Sequence, residues 1–134
     1  SLGYLEGDRT NELFIKRLCQ YTKPGGRLII EIINPIALTE DYKEKESVLL
    51  KDGTKLYFNR YLDFRTSTSV TKIREVQKGG KAKNVVHVIR LYYPHELINI
   101  CRKFGCDLID ILDQNGKTKD IKNSLRIWLI FQKK

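Results

Sequence analysis

The apolar positions of this chain change period several times, and each change marks an element. Between Asp8 and Tyr21 the residues Leu13, Phe14, Leu18 and Cys19 fall on roughly one face of a helix, with Asp8 and Thr10 as candidate caps. Pro24-Gly25-Gly26 stops that helix. "RLIIEII", Arg27 to Ile33, follows as a nearly continuous apolar run, the pattern of a strand buried on both faces. Asn34-Pro35 ends it, because proline has no N–H to give to a ladder. After a polar, acidic connection the period changes to that of strands. Asp52-Gly53 is a hairpin signal between segments 47–51 and 54–64, and the Thr- and Ser-rich stretch 66–71 suits a strand junction. Segments 70–77 and 84–92 read as two further strands around a Gly79-Gly80 turn, so the middle third is an antiparallel meander.

Helical spacing then returns. Pro94 sits where a helix begins, "PHELINICRKFG" sets Leu97, Ile98, Cys101 and Phe104 on one face, and Gly105 is the stop. Segment 107–112 alternates like a strand, "DQNGK" is a turn-rich loop, and segment 125–131 is a last apolar strand with Trp128 expected in the core. The order helix, strand, meander, helix, strand, strand places the chain in the α/β class. The 134 residues are expected to form one domain around one core, with the meander as an insertion at about 46–92.

Charge changes this picture more than composition does. The net charge is +9, but residues 51–90 hold ten Lys/Arg against three Asp/Glu, so most of the excess lies on the meander. That concentration is either a solvated face or a docking surface for an anionic substrate or nucleic acid. No apolar run is long enough to cross a bilayer and no signal-peptide pattern opens the chain, so no membrane partner is expected. Cys19, Cys101 and Cys106 are an odd number of cysteines with no secretory signal, which points to free thiols in a reducing, cytoplasmic setting. His87 and His95 lie far apart in no ligand spacing, so no metal site is expected. His87 is read as a strand residue facing a partner strand and His95 as exposed in a first helical turn, neither as a base. The sequence has no methionine, which agrees with a chain that begins elsewhere than at a native start.

Taken together, "GYLEGDRTNELFIKRLCQYTKPGGRLIIEIINP" resembles the second half of a class I, Rossmann-like S-adenosylmethionine-dependent methyltransferase. That family carries a "GY" loop, a helix ending in a "L-K-P-G-G" turn, and a strand running into Asn or Asp; here Thr22 stands in place of the leucine. "RLYYPHELINICRKFGCDLIDIL" is similar to its later helix and strand, with Cys106 where Phe is usual, and "SLRIWLIFQKK" to its closing antiparallel strand. The resemblance covers essentially the whole chain. It implies a partial Rossmann-like sheet in which segments 27–33, 125–131 and 107–112 are strands five, seven and six, in that spatial order, with the antiparallel β-meander inserted. It also implies a methyltransferase that uses S-adenosylmethionine in the complete domain and acts on a small-molecule methyl acceptor. The family's Gly-x-Gly cofactor loop is absent from this sequence, and neither Gly25-Gly26 nor Gly79-Gly80 can replace it. The chain is therefore expected to be a fragment, inactive alone, that either dimerises or pairs with an N-terminal half through the free edge of strand five. The alternatives are a basic module that binds RNA or another polyanion, and a non-catalytic partner subunit.

Methyl transfer depends on in-line geometry more than on acid–base groups, so the lack of a Ser/His/Asp or paired-carboxylate constellation is compatible with it, and no catalytic residue is assigned. By the resemblance, Gly3 and Tyr4 match the loop beside the cofactor and the substrate mouth. Asn34, at the C-terminal end of its strand, lies where ligands of open α/β sheets bind. Arg60, Arg90, Tyr92 and Tyr93 are candidates for substrate contact in or beside the meander that roofs the site, since arginine grips a carboxylate or phosphate with two parallel bonds.

Overall fold

The computed structural model describes residues 2–134, in two compact units. The first comprises the chain up to Asp41 together with Leu91–Lys134; the second is Tyr42–Arg90.

In the first unit, α1 (Asp8–Tyr21) leads into β1 (Arg27–Ile33) and the short helix α2 (Pro35–Glu40). Later in the chain come α3 (Pro94–Lys103) and two strands, Cys106–Asp113 and Arg126–Lys133, which are β6 and β7 once the four meander strands are counted. The three strands form one sheet in the order β1-β7-β6, with β7 antiparallel to both neighbours. That is the order the family resemblance implies. Gly26 permits the entry to β1: a Cβ there would meet the Lys23 carbonyl oxygen at 2.8 Å, closer than any side chain tolerates. The turn is then tied to the end of β7 by Gly25 N donating to Lys133 O at 2.9 Å.

One face of this sheet holds the core. Leu28, Ile30 and Ile32 of β1 stand opposite Phe131, Leu129 and Ile127 of β7. Ile15 and Cys19 of α1 and Leu97 and Cys101 of α3 belong to the same buried cluster. The opposite face is only partly covered. Ile29 is 60% exposed, and Glu31 accepts hydrogen bonds from Trp128 Nε1 at 2.8 Å and Arg126 Nη1 at 3.0 Å. Two expectations are corrected here: β1 alternates buried with exposed positions and is not buried on both faces, and Trp128 is half-buried on the partly covered face, outside the core cluster. The run of Leu and Ile hides this because Ile29 and Ile33 stand among the charged Arg27 and Glu31 on the outer face.

Helix α1 is also rotated from its expected face. Asn11, Ile15 and Cys19, spaced four apart, are the buried residues, whereas Leu13 and Phe14 are exposed. Its N-cap is Gly7 with no side-chain cap, so neither Asp8 nor Thr10 serves. The polar connection after β1 contains α2, capped by Asn34, whose Oδ1 accepts from Ile36 N at 3.2 Å. Helix α3 starts as expected, with Pro94 in its first turn and Tyr93 N donating to Glu96 Oε2 at 2.9 Å. In β6 the register slips between Leu108 and Asp110, leaving Ile109 as a bulge residue that is 45% exposed. Among the described residues no helix is long and apolar enough to cross a membrane.

The second unit is a four-stranded antiparallel meander: β2 (Lys45–Leu49), β3 (Lys55–Asp63), β4 (Thr68–Val76) and β5 (Ala82–Arg90), paired in chain order. Asp52-Gly53 makes the first turn as expected, with Gly53 at φ +86° and Thr54 N donating to Asp52 Oδ1 at 2.9 Å. Burial alternates strictly along β3: Leu56, Phe58, Arg60 and Leu62 are half-buried, and Lys55, Tyr57, Asn59 and Tyr61 are exposed. Strand β5 ends at Arg90, so Leu91 and Tyr92 leave the ladder and are buried.

Candidate functional site

Chain geometry gathers part of the expected site at one edge of the first sheet. Helix α1 has 14 residues and β1 has seven, so both are about 21–23 Å long. They are joined by a tight turn and run in opposite directions, which brings the first turn of α1 back to the C-terminal end of β1. Tyr92 then sets the start of α3 against the same place, its Oη donating to Asp8 Oδ1 at 3.4 Å. Gly3, Tyr4, Asn34, Tyr92 and Tyr93 thus all belong to the edge where the C-terminal end of β1 opens.

The residue that organises this edge is Asn11, which the sequence did not single out. It is fully buried in the first turn of α1. Its Oδ1 accepts from Gly3 N at 3.0 Å, and its Nδ2 donates to Leu5 O at 3.2 Å and Gly7 O at 3.0 Å. One amide therefore folds residues 3–7 into a fixed loop and leaves Tyr4 52% exposed at its tip. The available signal was a polar residue four before Ile15 on a line that continues to Cys19. Asn11→Ala is expected to cost about 1–3 kcal/mol, because buried backbone groups lose their partner. Hydrogen exchange at the amides of residues 3–7 should accelerate strongly while exchange in β7 falls only by the global loss.

The other expected residues divide. Asn34 is 4% exposed, and besides capping α2 its Nδ2 donates to Ile121 O at 2.9 Å and Lys122 O at 3.1 Å. Its amide thus anchors the loop before β7. Tyr92 is buried, while Tyr93, 40% exposed, lies beside His95 with ring centroids 6.1 Å apart. Arg60 and Arg90 belong to the second unit, and the β3–β4–β5 register puts them on opposite faces of the meander. Arg60 is engaged within its own face, pairing with Glu46 Oε2 at 2.9 Å, donating to Lys43 O at 3.2 Å and lying 4.6 Å from the Phe58 ring centroid. His87 stands opposite Thr71 and is exposed, as is His95.

The buried thiols carry no site chemistry. Cys19, Cys101 and Cys106 converge in the core, each fully buried. Among the described residues no group of His, Cys, Asp or Glu is arranged to hold a metal ion. The residues present also do not fit S-adenosylmethionine by themselves. The one strand-to-helix turn in the first unit that opens on this edge, Asn34-Pro35, has no glycine and spends its side chain on its own chain. The Gly3–Gly7 loop likewise turns its polar groups inward to Asn11.

No protein-family model and no curated protein matches the sequence. Solved structures match the fold closely. The CcbJ methyltransferase from Streptomyces caelestis superposes with a TM-score of 0.83 at 18% identity, over 98% of this chain and 53% of that one. An S-adenosylmethionine-dependent methyltransferase from Clostridium acetobutylicum gives 0.74 at 16% identity, over 98% and 54%. CalS10 from Micromonospora echinaspora, an amino pentose methyltransferase solved with S-adenosylmethionine bound, gives 0.65 at 11% identity, over 99% and 54%. The likeness is one of fold, and the chain spans about half the length of each structure it matches. Its fold is that of about half of a methyltransferase chain.

Proposed function

We propose that this chain is the C-terminal part of an S-adenosylmethionine-dependent methyltransferase whose acceptor is a small molecule, and that further polypeptide completes the site along β1. The observation that carries this reading is the unfinished sheet within a whole-chain fold match: among the described residues β1 has a strand on one side only, and its outer face carries the exposed Ile29. An apolar strand edge of this kind is a template for another strand. A strand added there would extend the sheet beside the C-terminal end of β1, where Tyr4, Asn34 and Tyr93 stand. In that arrangement the Gly3–Tyr4 loop borders the cofactor, and Asn34, Tyr92 and Tyr93 line the acceptor side.

Calorimetric titration of S-adenosylmethionine into the purified 134-residue chain, with its mass in solution measured alongside, tests this. No binding heat and a mass above the monomer is the expected result. A monomer that binds the cofactor would show that the described residues make a complete site and would overturn the reading.

A further inference from the structure

We infer that the exposed face of the meander is a platform for single-stranded nucleic acid. The ladder registers align its outward residues in rows across all four strands. One row is Lys45, Asn59, Lys72 and Val86; the next is Ser47, Tyr57, Arg74 and Asn84. Every one of these eight residues is exposed. A trough of about 560 Å³ is lined by both rows, Lys45, Tyr57, Lys72 and Arg74 among them, together with Glu46 and the apolar Phe58, Ile73 and Val85 of the row between them.

The electrostatics of the face are one-sided. Lys45, Lys72 and Arg74 lie in these rows and Lys55 in the row beyond, where it stands opposite Leu49 and Val76. None of the four takes part in an ion pair among the described residues. The one acidic residue at the trough, Glu46, belongs to the opposite face, where it pairs with Arg60 at 2.9 Å. Strand spacing sets Lys45 and Lys72 about 10 Å apart, and Lys72 and Arg74 about 7 Å apart along β4, so the positive charge is spread over the surface.

Spread charge suits a chain of phosphates better than one compact anion, and the remaining side chains suit bases. Tyr57, 45% exposed, stands beside Arg74 on the adjoining strand, and Tyr61, 51% exposed, continues the line along β3. Exposed aromatics on an open sheet give bases a stacking surface, and Asn59 and Asn84 supply paired donors and acceptors for base edges. An acidic peptide would use the cations but would leave the tyrosines and amides without a role.

The test uses the full chain and a fluorescently labelled 12-nucleotide oligouridylate, followed by anisotropy from 50 to 300 mM salt. Binding is expected to weaken steeply with salt. Lys72→Gln with Arg74→Gln should weaken it at least tenfold and flatten the log–log slope by about 1.4, the share of two phosphate contacts on a single strand. Tyr57→Ala should weaken it roughly tenfold with the slope unchanged, since stacking releases no counterions. Lys23→Gln with Lys119→Gln removes the same charge from the other unit and should leave binding within about twofold. Circular dichroism confirms that each variant folds. Absence of binding at 50 mM salt would overturn the proposal, and so would equal weakening by the control pair. Polyglutamate competing as well as the oligonucleotide would make the face a dock for acidic protein. A self-associated chain driven to monomer by Tyr57→Ala would show that a second copy covers the face. Either result would also overturn it.

Discussion

Phe131→Ala is expected to cost about 3–5 kcal/mol, the usual range for truncating a fully buried aromatic side chain. Phe131 has no exposed surface and lies on the central strand of the first sheet. There it faces Leu28 of β1 on one side and Leu108 of β6 on the other. Its removal leaves a void where three strands and two helices share one core, and a strand ladder cannot shift inward to close it without breaking register. Domains of this size are stable by only about 5–15 kcal/mol, so the loss is a large part of the total. The measurement is the urea unfolding midpoint at constant slope. Trp128→Ala, three residues back on the same strand but on the partly covered face, is the matched comparison. Trp128 is only partly buried and keeps one hydrogen bond to Glu31, so its truncation should cost about 1–2 kcal/mol. Equal losses for the two variants would mean that the outer face is packed, and the assignment of core and outer face would fail with it.

What the sequence revealed follows from which physical signals are local. Strand β1 and helix α3 were readable with their boundaries because proline and glycine punctuate them: Pro35 after β1, and Pro94 and Gly105 around α3. The Asp52-Gly53 hairpin was readable for the same reason. Burial is not local. In β1 the outward positions are Arg27, Ile29, Glu31 and Ile33, so two charged residues already mark that face, and the isoleucines between them mask the alternation. In α1 the inward line runs through Asn11, and a polar residue there draws the apparent apolar face round to Leu13 and Phe14, which water covers. The interior accepts Asn11 because all its bonding is satisfied by a loop four to eight residues upstream, a pairing that no periodicity records.

The candidate site was legible to a similar depth. Gly3, Tyr4, Tyr92 and Tyr93 were picked out by the family resemblance and Asn34 by its place at the end of a strand; element lengths return Gly3, Tyr4 and Asn34 to one sheet edge, and the bond from Tyr92 to Asp8 brings the start of α3 there. Their roles were less accessible, because side chains such as Asn34 and Arg60 are held by backbone carbonyls or by a carboxylate of their own unit. The bareness of the meander's basic face was legible only as a charge count. Placing Lys45, Lys72 and Arg74 on one side and Glu46 on the other required the register. The convergence of Cys19 with Cys101 and Cys106 was equally hidden, since the three residues come from two helices and a strand that meet only in the folded core.

That convergence predicts how stability responds to alkali. Burial pushes the Cys19 thiol from its ordinary 9.0 up to about 11, and the neighbouring Cys106 thiol adds to the rise, while a bond from Cys101 and the charge of Lys133 oppose it. Burial also raises Cys101, helped by the thiol of Cys19. Each proton is held more tightly in the folded chain than in the unfolded one. The resulting stabilisation is fully present below pH 9, where both states keep the proton. It is lost as pH rises towards 11, because the unfolded thiol ionises first and draws the equilibrium towards unfolding. Within that window the loss is about 1.4 kcal/mol per pH unit for each buried thiol, so Cys19 and Cys101 together remove several kcal/mol. The urea midpoint should therefore be flat from pH 7 to 9 and fall steeply from 9 to 11. A Cys19→Ala, Cys101→Ala variant should start lower, for the cavities it opens, and decline less steeply, since tyrosines and lysines that titrate in the same range remain in both proteins. Parallel declines would show that the thiols ionise as freely in the folded chain as in the unfolded one, which the dry three-thiol cluster between α1, α3 and β6 does not allow.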